Sequence, residues 1–428
     1  MKEKIKVGYI GLGRRGTGML RCLCQMKDVE VKYICDINEK KVEFMLNDIK
    51  EKGYNQKPKG MTDYKEVIAK KDIDAVFIMT GWNSRIKLAI ESMKAGKYTA
   101  IEVGCAFDIS ECYELVKTYE ETKVPVMMLE NCCYGRDEMM ALRMVKEGLF
   151  GEIVHCNGAY HHYLNPCEFF RDTGNDLFDK GHYRLEEYLN RNLENYPTHE
   201  LGPISKILNI NRGNRMLTLT SFSGKSRGIE TYMKDHVSPD HPLAGKSFKQ
   251  GDIVTTIITC AGGEQIHLTL DTTLPRAFYS REFTVRGTKG MCEESGKDMC
   301  TFFLDGMKEN DPEEFNNRTK FYEKYDHPLH EEYARMQAKG GHGGIDWLVL
   351  RAFVESVKDG VEPPIDVYDT ATWLAIGPLS EMSIANGSVA VNVPDFTNGR
   401  WFRRDNPNTG KYSLDVITSV PEVPIDPQ

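Results

Sequence analysis

No stretch of the 428 residues stays apolar long enough to cross a bilayer; the longest runs resemble Ala75 to Met79, against the roughly twenty residues a spanning helix needs. An excess of positive charge is missing too. The 55 Lys and Arg face 63 Asp and Glu, a formal charge of -8, so there is no electrostatic reason to expect nucleic acid or an anionic membrane as partner. The 12 cysteines include the adjacent pair Cys132-Cys133 but no Cys-x-x-Cys, which excludes a zinc ribbon or a secreted disulfide framework and fits reduced thiols in a cytoplasm. Met1 to Lys6 opens with charges that lead into a strand-like segment, so no export signal is expected. Internal repeats and low-complexity tracts are also absent.

What remains is ordinary globular material, 40% hydrophobic and 28% charged, in a chain too long for one compact core. Two domains are expected, 1–130 and 131–428. In the first, short apolar strands at Ile5–Ile10, Val29–Cys35, Ala75–Thr80, Tyr98–Glu102 and Val124–Leu129 alternate with helical patterns, which predicts a doubly wound parallel sheet. Beyond Gly151 the period changes. Leu217 and Leu219 alternate with Thr218 and Thr220, and Ile266, Leu268 and Leu270 with His267, Thr269 and Asp271. Together with Glu152–Tyr163, Asp252–Cys260 and Arg281–Arg286, these predict a large, mainly antiparallel open sheet in an α+β domain, and its uncommitted face suggests a homo-oligomer, a dimer or tetramer. Helices are predicted at Asp346–Lys358 and Asp369–Ala385, and an irregular tail from Pro394.

Gly11-Leu12-Gly13-Arg14-Arg15-Gly16 lies between the first strand and a segment that puts Met19, Leu20, Leu23 and Cys24 on one helical face. Glycines there let backbone N–H groups approach a pyrophosphate at a helix N-terminus. Asp36 ends the second strand, where a carboxylate would accept hydrogen bonds from the adenosine ribose hydroxyls and repel a 2'-phosphate. The pattern predicts NAD as cofactor rather than NADP. His161-His162 sits on a strand, where neighbours face opposite ways, so the pair is poorly placed to share a metal and none is expected. Gly340 to Gly344 is either a loop that lets backbone approach a ligand or a flexible connector.

With the glycine loop, Ile101-Glu102-Val103, Leu129-Glu130-Asn131, Gly148 to Glu152, Tyr196-Pro197-Thr198-His199 and Gly340 to Gly344, nearly the whole chain resembles the glucose-fructose oxidoreductase, inositol dehydrogenase and MocA family. Most dehydrogenases of that family carry Glu-Lys-Pro where this chain has Glu102-Val103-Gly104. The missing lysine and the Tyr-Pro-Thr-His segment make it similar to the branch called glycoside hydrolase family 109. The resemblance implies NAD contacts at Arg14, Arg15, Asp36, Trp82, Asn83, Ser84, Arg85, Glu102, Val103 and Asn131, beside the glycines at 11, 13 and 16. It implies substrate contacts at Tyr160, Arg184, Tyr196, Pro197, Thr198, His199 and Tyr279. The chain departs from the branch at Arg85, where a histidine is common, and at Gly104, where a proline is.

The same resemblance implies a small carbohydrate substrate, an N-acetylhexosaminide such as an N-acetylgalactosaminide, and hydrolysis through transient oxidation. Hydride leaves carbon 3 for NAD, the ketone acidifies the carbon 2 proton, the leaving group is eliminated, water adds, and carbon 3 is reduced again. His199 is the expected base, because imidazole ordinarily titrates near neutrality and can move a proton both ways. Tyr196 and Tyr279 are the further catalytic candidates, each equally readable as a core tyrosine with a satisfied hydroxyl. Arg184 could bind an acetamido carbonyl or form a surface ion pair. The competing readings are an NAD-dependent sugar or polyol dehydrogenase and a non-catalytic NAD-binding protein.

Overall fold

A computed structural model describes residues 2–175, 177–179, 182–297, 299–336, 341–404 and 408–417. Six strands form the N-terminal sheet: β1 (Ile5–Ile10), β2 (Val29–Cys35), β3 (Lys59–Met61), β4 (Ala75–Ile78), β5 (Tyr98–Ile101) and β6 (Val126–Met128). All pairings are parallel, in the order β3-β2-β1-β4-β5-β6. This is the doubly wound order in which ligands gather above the carboxyl ends of the central strands. Helices cover both faces, so the strands read as apolar runs. The helix Arg14–Cys24 seats Met19, Leu20 and Leu23 fully buried on the sheet, as the spacing predicts, each stabilising by about 2 kcal/mol. β5 ends at Ile101, which puts Glu102 just past the strand's carboxyl end, and β6 begins after Pro125, which has no N–H to give the ladder.

The second sheet has eight strands: β7 (Ile153–His161), β8 (Met216–Ser223), β9 (Ile253–Cys260), β10 (Gln265–Asp271), β11 (Thr284–Gly287), β12 (Gly290–Gly296), β13 (Met299–Leu304) and β14 (Val391–Asn392), in the order β13-β12-β11-β7-β10-β9-β8-β14. β9 and β10 alternate as expected, with Val254, Thr256, Ile258, Ile266, Leu268 and Leu270 buried.

The sheet is mainly antiparallel, as expected, with one parallel pair, β10 with β7, which are joined through β8 and β9 rather than by a hairpin. Three expectations are corrected. Leu217 and Leu219 do not share a face: a register shift between Met216 and Thr218 turns Leu217 outward while Leu219 stays buried. β11 starts at Thr284 rather than Arg281, since Glu282 has φ +47 and interrupts the extended run. The expected helix Asp369–Ala385 is two, Val367–Leu374 and Ile376–Ala385. Pro378 cannot donate to the Leu374 carbonyl, which accepts the Ala106 N–H at 3.1 Å instead. Ile345–Asp359 matches the other predicted helix within a residue, and the only regular element past Pro394, among the described residues, is the single turn Arg400–Phe402.

Candidate active site

The glycine loop has the geometry a pyrophosphate needs. A Cβ on Gly16 would lie 2.2 Å from the Gly11 carbonyl oxygen, whereas the space around Gly13 is open. Gly13 is the N-cap of the helix Arg14–Cys24 and has no side chain to cover its free N–H groups. Asp36 is held ready by two backbone donors, Leu12 N–H at 2.8 Å and Asn38 N–H at 2.9 Å. These features fit NAD.

Both loop arginines reach residues beyond the N-terminal sheet. Arg15 donates to Glu102 Oε1 at 3.0 Å and, in a two-pronged contact, to Asp346 at 2.6 and 2.8 Å; Asn131 Nδ2 donates to Asp346 as well, at 2.7 Å. Burial would push the Asp346 carboxyl up, but hydrogen bonds from His342 and Arg15 and their charges hold it far below the usual carboxylate range. His342, from the Gly340–Gly344 loop, stands 2.9 Å from Asp346, so the described part of that loop lies at the cofactor end of the cleft; Gly340 itself lies outside the described residues. Arg14 donates to the Cys167 carbonyl at 3.2 Å and pairs with Glu168. Further along, Phe178 packs edge-on against Phe44 at 5.3 Å, and a cavity of about 700 Å³ is lined by Asn38, Lys40, Thr173, Gly174, Asn175 and Leu177.

Trp82 to Arg85 divide. Trp82 is buried, 6.0 Å from the Tyr196 ring, and Asn83 is exposed. Ser84 bonds Thr80 at 3.1 Å. Arg85 is buried and gives its guanidinium to the Val103 and Thr80 carbonyls, tying together the chain just past β4 and β5. Gly104 explains the missing proline. Its φ of +142 is closed to proline, and a Cβ there would sit 2.1 Å from the Trp82 indole nitrogen.

The substrate-side candidates converge on one wall. A Cβ at Gly158 would lie 2.4 Å from Glu200 Cβ, so glycine lets the helix Thr198–Ile207 pack directly onto β7. Pro197 caps that helix and Thr198 begins it, both buried. The packing brings Tyr160 on β7 within 4.3 Å of Tyr196, 5.6 Å of His199 and 6.1 Å of Tyr279, ring to ring. Arg184 lies over the Tyr196 ring at 4.3 Å and the Trp82 ring at 5.0 Å, a stacked position rather than a surface ion pair. Tyr279 is 41% exposed at the mouth.

Behind this wall, His199 Nδ1 lies 2.7 Å from Glu130 Oε1, and the same oxygen accepts the Cys132 N–H at 3.0 Å. Burial raises the Glu130 carboxyl, yet the attraction and hydrogen bond of His199 and the Cys132 N–H outweigh it and hold it below its ordinary value. Glu130 thus stays ionised and holds the proton on Nδ1, which leaves Nε2 to accept one. Glu130 and Asp346 are the residues that sequence reasoning left out, although Glu130 lies inside the Leu129-Glu130-Asn131 segment.

Glu130, Cys132 and His199 each place one possible metal ligand within 4.8 Å of the others. Arg281 donates to Cys132 Sγ at 3.0 Å, and burial pushes that thiol well up, so a cation there would meet a guanidinium and a protonated thiol. His161 and His162 diverge as predicted: His161 meets Glu282 at 3.2 Å, while His162 turns to Tyr160.

A doubly wound dinucleotide sheet with an acid after β2, joined to an open mixed sheet that carries polar and aromatic side chains to the cleft, defines an NAD-binding protein of the oxidoreductase type. Residues 5–130 match the model for the oxidoreductase family, NAD-binding Rossmann fold. Residues 134–403 match the C-terminal domain of glycosyl hydrolase 109, and the chain belongs to that family. It is 38% identical over 420 residues to a glycosyl hydrolase family 109 protein of Stenotrophomonas maltophilia, covering 94% of this chain and 91% of that one. It is 35% identical to an alpha-N-acetylgalactosaminidase of Tannerella forsythia, over 94% and 88% of the two chains. Among solved structures, an NAD-binding oxidoreductase from Klebsiella pneumoniae shares the fold with TM-score 0.70 at 14% identity, over 92% of this chain and 100% of that one. A levoglucosan dehydrogenase bound to NADH and L-sorbose does so with TM-score 0.67 at 16% identity, over 92% and 100%.

Proposed function

We propose that this protein is an NAD-dependent glycoside hydrolase acting on N-acetylhexosaminides, with α-linked N-acetylgalactosamine the leading candidate. The observation that carries the reading is the Glu130–His199 pair, 2.7 Å apart, set in an aromatic wall that faces the NAD-binding half. The relatives at 35–38% identity, one of them named an alpha-N-acetylgalactosaminidase, support the substrate class.

Bound NAD supplies reversible hydride acceptance at a sugar carbon. Glu130 fixes His199 with Nε2 free to take and return the proton that activation of the neighbouring carbon releases. The Arg184 guanidinium, stacked between Trp82 and Tyr196, offers donors to an acetamido carbonyl, and Tyr160, Tyr196 and Tyr279 offer hydroxyls around the ring. Glu102 and Asn131 orient Arg15 and Asp346 at the cofactor end. Buried Tyr160 and Tyr196 keep bulk water from the reacting face.

In this reading residues 1–130 bind NAD and 131–428 bind substrate. The half-buried face of β8, β9 and β10 serves as a homo-oligomer contact, to be checked by light scattering in solution. Twelve unpaired cysteines support a cytoplasmic setting, which fractionation of the source cells would check, and among the described residues no helix is long and apolar enough to cross a membrane. The function is tested with a panel of nitrophenyl N-acetylhexosaminides: aglycone release by the NAD-loaded protein is expected. Stoichiometric NADH from free sugars, without aglycone release, would assign a dehydrogenase instead.

A further inference from the structure

Tyr160 lies on β7, and two residues on, where an extended chain returns to the same face, stands His162. The ladder continues past the end of the strand, since His162 N–H donates to the Asp271 carbonyl at 2.9 Å, so this shared direction is set by the backbone. The Tyr160 hydroxyl is 3.1 Å from His162 Nδ1, and the other ring nitrogen, Nε2, is 3.7 Å from Cys167 Sγ. The thiol in turn is 3.1 Å from the Tyr163 carbonyl oxygen.

With a neutral imidazole, only one arrangement of protons satisfies all three contacts. A carbonyl can only accept, so the Cys167 S–H donates to Tyr163. The sulfur is then left to accept from Nε2–H. Nδ1 carries no proton and must accept from the Tyr160 O–H. The phenol's proton is thereby committed to the histidine, so the Tyr160 oxygen can only accept, with the Arg184 guanidinium as a donor beside it.

We propose that His162 is a positioning residue that makes Tyr160 a hydrogen-bond acceptor for a sugar hydroxyl, and so divides the labour of the site: Tyr160 holds and selects the sugar while His199 moves the proton. The chemistry rests on the glycosidase reading; the hydrogen-bond assignment does not. The surroundings agree. Burial comes first, and the charges of Arg184, His199, His342 and Arg14 add to it, in lowering His162 to about 4, so it stays neutral where the site works. The Tyr279 ring stands edge-on to the imidazole at 5.2 Å.

The test has two arms on the NAD-loaded protein. In the first, histidine is labelled with nitrogen-15, and the His162 ring is identified by its loss in His162→Gln. Long-range nitrogen–proton spectra at pH 7 should show a neutral ring protonated on Nε2. A ring protonated on Nδ1, or on both nitrogens, overturns the proposal. In the second, N-acetylgalactosamine binding is measured by calorimetry. His162→Phe should weaken it about tenfold, the scale of one hydrogen bond to a sugar hydroxyl. Tyr160→Phe should match that loss, the double variant should add nothing, and His162→Gln, whose amide oxygen can accept, should restore most of it. A His162→Phe protein that binds the sugar as tightly as the wild type contradicts the proposal. If the unaltered protein does not bind this sugar, the glycosidase reading fails while the first arm still decides the hydrogen bond.

Discussion

Glu130, two residues past the end of β6, and His199, in the first turn of the helix Thr198–Ile207, are joined by a 2.7 Å hydrogen bond although 69 residues separate them. The Glu130 carboxylate is fully buried while the His199 side chain keeps 14% of its surface exposed, and in the proposed function the carboxylate orients the ring and the outer nitrogen meets substrate.

Glu130→Gln keeps the shape of that pair and removes its charge. Turnover should fall on the order of a hundredfold or more, because the amide no longer fixes the tautomer, while KM and bound NAD stay within about twofold. Steady-state kinetics with the cofactor content measured spectroscopically checks this.

Gly104→Ala should strain both the backbone and the Trp82 indole, whose nitrogen lies 2.1 Å from the added methyl. A loss of about 1–3 kcal/mol is expected, visible as a lower Tm and as weaker NAD retention on gel filtration. Unchanged Tm would mean that the indole has room to move.

Asp36→Ala removes the acceptor for the ribose hydroxyls and the anchor of Leu12 and Asn38 N–H groups. NAD affinity should drop about tenfold or more, and NADP, which the Asp36 carboxylate is expected to repel, should gain relative to NAD. Titrations with both nucleotides measure the ratio.

The glycine loop and Asp36 were legible in the sequence because they answer a local steric demand, which fixes residue type and spacing together. Arg15–Asp346 was not: its partners are 331 residues apart, and only the topology brings them together. Glu130 stood inside a quoted motif yet drew no role, since burial next to an imidazole is a tertiary fact. Arg85 reads as a cofactor contact by its place in Trp-x-x-Arg, but the carbonyls left at the ends of β4 and β5 claim it. Pro378 carried a signal against one long helix that the apolar pattern around it overrode, and the bulge before Thr218 defeated simple alternation.

Glu194, three residues before Pro197, is raised to about 8 by burial. The unfolded carboxyl ionises near its ordinary value, so the stability that this group contributes is full below about pH 4.5 and is lost as pH rises towards 8. Glu194→Gln should therefore become the more stable of the two proteins as pH rises from 5 to 8, gaining on the wild type by about 1.4 kcal/mol per pH unit. Paired Tm or denaturant curves across that range give the slope; parallel curves would contradict it.

The central claim is that NAD is a retained part of a hydrolytic cycle, and one experiment in deuterated water addresses it most directly. Nitrophenyl α-N-acetylgalactosaminide is incubated with the NAD-loaded protein while aglycone, NADH absorbance and deuterium in the released sugar are followed together. The account predicts many aglycones per protein molecule, deuterium at carbon 2 of the sugar, and no accumulation of NADH. Aglycone release with carbon 2 free of deuterium, or NADH accumulating in step with product, would contradict it.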